Sequence, residues 1–89
     1  MDYRKFGDTV VARFDRGEEF VSSLQKLCEK ENIKSASVSA IGALNAFSAG
    51  VYKIDEKKYV KNEFKGCFEI VSLTGTVNTK DGEYYSHLH

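Results

Sequence analysis

The stretch Phe68-Glu-Ile-Val-Ser-Leu-Thr-Gly-Thr-Val-Asn-Thr-Lys-Asp-Gly-Glu-Tyr-Tyr-Ser-His-Leu-His89 decides the fold. Phe68 to Val77 is the longest strand candidate in the chain. Asp81-Gly82 then supplies the positive φ angles of a two-residue hairpin turn, and the chain returns through Glu83 to His89. A two-residue loop sets Lys80 opposite Glu83, Thr76 opposite His87 and Thr74 opposite His89. Leu88 then shares the other face with Leu73 and Val77. A four-residue loop keeps this pairing and a three-residue loop breaks it.

Working upstream, Tyr59 to Phe64 alternates as a strand that Gly66 ends, and Asp55 to Lys58 is a charged turn. Asn45 to Ile54 is another strand, with Gly50 marking a bulge or a close approach of two backbones. From Ser35 to Ile41, Ala36, Val38 and Ala40 fall on one face and three serines on the other, up to Gly42. Phe20, Leu24, Leu27 and Cys28 recur at helical spacing. Asp15 and Glu18 have the spacing of a capping box before that helix. Asn32 can take the left-handed position after it, folding Ile33 back on Cys28. Val10, Ala12 and Phe14 alternate as a first strand. The count is about six strands and one helix with short connections. The class is therefore α+β, a mostly antiparallel sheet with the helix on one face.

Eighty-nine residues make one domain, because a chain this short cannot divide its buried surface between two cores. Its stability is limited, and oligomerisation is a natural supplement. Thirteen basic residues balance thirteen acidic ones, so no whole-molecule field draws the chain to nucleic acid or an anionic membrane. Cys28 and Cys67 form no C-x-x-C pattern and follow no apolar leader, which points to reduced thiols and a cytoplasmic protein. No apolar run approaches the roughly 20 residues a membrane helix needs. His89 stops the chain inside an alternating strand, and the expectation is that the strand, and the fold, continue beyond it.

Three constellations could carry chemistry. On a strand, His87 and His89 share a face at a spacing of roughly 6.5–7 Å, on which two imidazoles can converge on one ion; they would line a polar face with Thr74, Thr76 and Tyr85. Zinc with an open position takes three protein ligands, so a third must be a carboxylate, come from a second chain or lie beyond residue 89. The plainer alternative is two exposed strand histidines. Glu69 falls in register with Val71, Leu73 and Val77 on the apolar face, where a carboxylate needs a partner; Arg13 is the candidate, and a structural ion pair outweighs a perturbed acid or base in a pocket. Lys53, Lys57, Lys58, Lys61 and Lys65 are interleaved with Tyr52, Tyr59 and Phe64, a pattern that nucleic-acid binding can use. Asp55, Glu56 and Glu63 cut the local excess to two charges, no arginine is present to read bases, and the aromatic spacing matches ordinary strand packing. A solvated edge hairpin is the reading these residues favour. There is no glycine-rich phosphate loop, nucleophile elbow or legible Cys-His arrangement, and no catalytic residue is assigned.

Four ordered blocks resemble a known family. Arg13-Phe-Asp-Arg-Gly-Glu-Glu19, Ala36-Ser-Val-Ser-Ala-Ile-Gly-Ala43, Phe64-Lys-Gly-Cys-Phe-Glu-Ile-Val-Ser-Leu-Thr-Gly75 and His87-Leu-His89 follow, in that order, the blocks of PPC domains, the plant and prokaryote module also known as DUF296. The resemblance covers residues 4–89. It implies a compact domain that assembles as a homotrimer. In plants such domains follow AT-hooks in nuclear DNA-binding proteins, and free-standing prokaryotic relatives are labelled DNA-binding. This chain has no proline and hence no AT-hook core. Some prokaryotic members resemble metal proteins that use the paired histidines plus a third further along; His87 and His89 match the pair, and the third block, with the last strands of the sheet, is missing. The expected function is an oligomeric module associated with DNA or transcription and not an evident enzyme. The alternatives are a zinc-dependent small-molecule binding protein or enzyme built on His87 and His89, and a trimeric scaffold of unknown partner.

Overall fold

A computed structural model describes all residues, 1–89. The elements run β1 (Asp2–Phe6), β2 (Thr9–Arg13), α1 (Phe20–Lys30), β3 (Ala36–Lys53), β4 (Lys58–Lys80) and β5 (Glu83–Leu88). β1 pairs with β2, and the other strands lie in the order β3-β4-β5. The class is α+β as expected, with five strands in place of six. The segments expected on either side of Gly42 join into β3, and those on either side of Gly66 join into β4. Both glycines hold a positive φ, 151° and 149°, that other residues avoid, and the strand runs on through each. β1 was not anticipated. It pairs antiparallel with β2 from Asp2↔Arg13 to Phe6↔Thr9.

The chain divides into two compact units. The first comprises Met1–Ser37 and Thr76–His87. Its core is the helical stripe Leu24, Leu27 and Cys28 together with Val77 of β4, and Ser23 is buried beside them. The helix begins four residues later than the expected box requires. Glu19 is the cap, and its carboxylate accepts the N–H groups of Val21 at 2.6 Å and Ser22 at 3.1 Å. Half of the expected box survives, since Glu18 Oε2 accepts the N–H of Asp15 at 2.6 Å. The other half does not. The N–H of Glu18 donates to the carbonyl of Asp15 at 3.0 Å, closing a turn ahead of the helix. The Asp15 carboxylate instead accepts from the Met1 amine at 2.8 Å and from Arg13 Nε at 3.1 Å.

The C-terminal end of α1 follows the sequence reading. Asn32 takes φ 55°, the N–H of Ile33 donates to the carbonyl of Cys28 at 2.8 Å, and that of Asn32 to Glu29 at 3.3 Å. The same end anchors β1. Tyr3 Oη donates to Glu31 Oε2 at 2.7 Å, and Lys30 Nζ lies 5.6 Å from the centre of the Tyr3 ring.

The second unit comprises Val38–Gly75 and Leu88–His89. β3 and β4 are joined by the turn 54–57, closed by the Lys57 N–H on the Ile54 carbonyl at 3.2 Å, with Lys57 at φ 52°. Phe47 stacks on Phe64 at 4.9 Å and meets Phe68 edge-on at 5.0 Å. A Cβ on Gly50 would run into the carbonyl of Val60, whose carbon would lie 2.9 Å away, and would meet Lys61 Cα at 3.0 Å. Gly50 thus permits the close approach that its position in the sequence announced. No residue of this unit is buried.

Candidate functional site

The terminal hairpin forms as the Asp81-Gly82 turn dictates. Asp81 and Gly82 take φ 53° and 81°, values suited to the primed turns that match strand twist. Along β5, Tyr84, Ser86 and Leu88 are half-buried, whereas Tyr85, His87 and His89 are exposed; on β4, Thr74 and Thr76 are exposed and Val77 is buried. His89 and Thr74 exchange two backbone hydrogen bonds, which fixes the expected register. His87 and His89 are thus each exposed, His87 within β5 and His89 just past its end. No group of three or more His, Cys, Asp or Glu side chains is gathered so as to hold a metal ion.

Beneath the first unit's part of this hairpin lies a cluster that the sequence did not single out. A small recess is lined by Val21, Leu24 and Gln25 of α1 with Val77, Tyr84 and Ser86. Burial pushes the Tyr84 phenol up, with the nearby Cys28 and Glu29 adding to the effect. Burial likewise raises the Cys28 thiol, and Glu29 raises it further. Both groups are thus held in their neutral forms, so Cys28 packs as a small apolar residue and lacks the thiolate character of a nucleophile. A helical stripe meeting a hairpin was the available signal, but sequence alone does not say which strand residue fills the stripe.

Glu69 requires a correction. It is exposed, while Phe68 and Ile70 are half-buried. Val71 is 91% exposed and Ser72 is exposed too, after which Leu73, Gly75 and Val77 turn inward. The inward phase of β4 slips by one residue at Val71–Ser72, and extrapolating from Leu73 and Val77 put Glu69 on the wrong face. The buried carboxylate that called for Arg13 is not buried, and Arg13 is given to Asp15.

Lys53, Lys57, Lys58, Lys61 and Lys65 are all exposed along β3, the 54–57 turn and β4. Their aromatic neighbours differ from expectation. Phe64 packs on Phe47, but Tyr52 and Tyr59 are 57% and 58% exposed and are not part of strand packing. A shallow depression at the hairpin tip is lined by Tyr52, Lys53, Ile54, Asp55 and Glu56. No helix is long and apolar enough to cross a membrane.

The architecture defines a small α+β module with one amphipathic helix and long hairpins. The chain belongs to the family described as the Plants and Prokaryotes Conserved (PCC) domain, which matches residues 1–89. Solved structures are similar over most of its length. A "putative dna binding protein" of Bacteroides thetaiotaomicron superposes with a TM-score of 0.92 at 28% identity, covering 98% of this chain and 61% of that one. A metal-containing protein of Archaeoglobus fulgidus gives 0.80 at 36% identity, covering 84% and 54%. A plant- and prokaryote-conserved (PPC) protein of Pyrococcus horikoshii gives 0.77 at 36% identity, covering 84% and 52%. The chain thus spans between half and two thirds of the length of these structures. No curated protein matches it.

Proposed function

We propose that this chain is a self-associating module that works with DNA, three copies covering one another's open sheet. One observation carries the self-association: the second unit buries no residue, yet exposes Ile41 by 85% and Val71 by 91%. Large apolar side chains left this bare in a unit without buried residues are what a second copy would cover. Burying each such side chain contributes about 1.5–3 kcal/mol, which a core of four apolar residues needs. A homotrimer accords with the resemblance to PPC domains. Cys28 and Cys67 form no disulfide with each other, which accords with a cytoplasmic setting.

The association with DNA is supported by the description of the Bacteroides neighbour and by family membership. Its chemistry must be local, since net charge is zero. Light scattering coupled to size exclusion tests the assembly, and a gel shift at low and moderate salt tests the DNA. A monomer at micromolar concentration rules out the first, and no salt-sensitive shift rules out the second.

A second reading is favoured by the strand positions of His87 and His89 and by the metal-containing Archaeoglobus neighbour. In it the two imidazoles supply two ligands to zinc and a second copy of the chain supplies a third, leaving one position for water or a small molecule. Metal analysis of the purified protein beside the His87→Ala, His89→Ala double variant decides it. Near-stoichiometric zinc lost in the variant supports the site, and metal-free wild-type protein excludes it.

A further inference from the structure

The tip of the β3–β4 hairpin has an unusual combination of groups. Tyr52 is the next-to-last residue of β3 and Tyr59 the second of β4, so both stand close to the 54–57 turn. Both rings are more than half exposed, at 57% and 58%. Neither tyrosine takes part in the ring–ring contacts, which join Phe14 with Phe20 and Phe47 with Phe64 and Phe68. Lys53, Lys57, Lys58 and Lys61 lie beside them in sequence and are all exposed. The ion pairs use the Met1 amine, Arg4, Lys5 and Arg13 as cations, and none ties up a hairpin lysine, although Asp55 and Glu56 sit in the turn. Exposed aromatic rings offer a stacking surface, and charge that is not paired internally is available to a phosphate backbone.

We infer that this tip binds single-stranded nucleic acid, with unpaired bases stacking on Tyr52 and Tyr59 and the four lysines holding the intervening phosphates. The inference rests on the DNA-association reading and narrows it to one strand. A duplex hides its base faces, and the arginine forks that most often read its groove edges are absent from β3, the turn and β4. A single strand offers a π-face at every base to any exposed ring, without regard to sequence.

Fluorescence anisotropy of a labelled oligo-dT of about 20 nucleotides, titrated with the intact protein at low and moderate salt, tests this. The expected result is salt-sensitive binding, weakened about tenfold or more by Tyr52→Ala with Tyr59→Ala and retained by Tyr52→Phe with Tyr59→Phe, because stacking needs the ring and not the hydroxyl. Lys53→Gln with Lys58→Gln should flatten the salt dependence. Because both tyrosines are exposed, thermal melting of the variants should match wild type. Duplex of the same length should compete at least tenfold less well. Equal binding by the Ala double variant, or equal competition by duplex, overturns the inference while leaving DNA association intact. Absence of binding to either form overturns both.

Discussion

Thr74 and His89 exchange both of their backbone hydrogen bonds, Thr74 N–H to the His89 carbonyl at 2.9 Å and His89 N–H to the Thr74 carbonyl at 2.7 Å. This doubly bonded pair is the far end of a register that begins at the Asp81-Gly82 turn. Alternation along β5 then puts His87 and His89 on exposed positions and Leu88 on the inward ones. A change of one residue in the turn would reverse those faces.

Inserting one alanine between Asp81 and Gly82 should therefore expose Leu88 and turn the histidines inward, which hydrogen exchange at Thr74 and His89 would reveal as lost protection. Replacing Gly82, at φ 81°, with valine should keep the register but cost roughly 1–3 kcal/mol, measured by denaturant unfolding.

Gly50→Ala should be more harmful than an ordinary strand substitution. The added methyl meets backbone, the Val60 carbonyl group and Lys61 Cα, and backbone cannot rotate aside. A loss of about 1–3 kcal/mol is expected from overpacking, read as a fall of several degrees in Tm.

Leu27, 5% exposed in the helical stripe, is one of only four buried apolar residues. Leu27→Ala should cost about 2–5 kcal/mol, enough to unfold much of the population of so small a domain. Circular dichroism against denaturant gives the value; a loss under 1 kcal/mol would mean that the stripe is not the core.

The two cysteines should separate by reactivity. Cys67 is exposed, and Cys28 is 2% exposed with its thiol pushed up by burial. An aromatic disulfide reagent should modify Cys67 promptly and Cys28 only at the rate of opening, so two thiols reacting together in native protein would contradict the packing.

Stability should fall toward acid through the turn before α1. The Met1 amine, by hydrogen bonding, holds both Asp15 and Glu18 below the usual carboxylate values, helped by Arg13 at Asp15 and by the Asp15 N–H at Glu18. A depressed carboxyl contributes stability that is present above its unfolded pKa and is lost as pH falls through the folded one. The amine itself is raised, chiefly by its hydrogen bond to Asp15, so its contribution is present below its unfolded value and is lost as pH rises through the folded one. Melting temperatures between pH 3 and pH 10, compared with a Glu18→Gln variant, should show a narrower decline on both sides for the variant.

Self-association should yield to charge on the open sheet. Val71→Asp alters a side chain that is 91% exposed in the single chain, so it leaves the fold of one copy untouched while placing a carboxylate in the interface. Light scattering should show a smaller species at equal concentration. An unchanged mass would place the interface elsewhere.

What the sequence determined by itself was local in origin. The Asp81-Gly82 turn carries its register in two positive φ angles, and α1 carries both its buried stripe and its Asn32 ending within a few residues. The family was legible in the same way, from four ordered blocks, and with it the positions of His87 and His89. Tertiary structure alone decided the rest. β1 has only Tyr3 and Phe6 as large apolar residues among Asp2, Arg4 and Lys5, too little alternation to announce a strand, and it exists because β2 offers a backbone edge and Glu31 receives Tyr3. Glu69 was misplaced because the slip at Val71–Ser72 belongs to the pairing of strands, and the exposure of Tyr52 and Tyr59 depends on what the rest of the chain leaves uncovered. Turns and caps are satisfied by neighbours in sequence, whereas faces and edges are satisfied by residues far along the chain, and only folding brings those together.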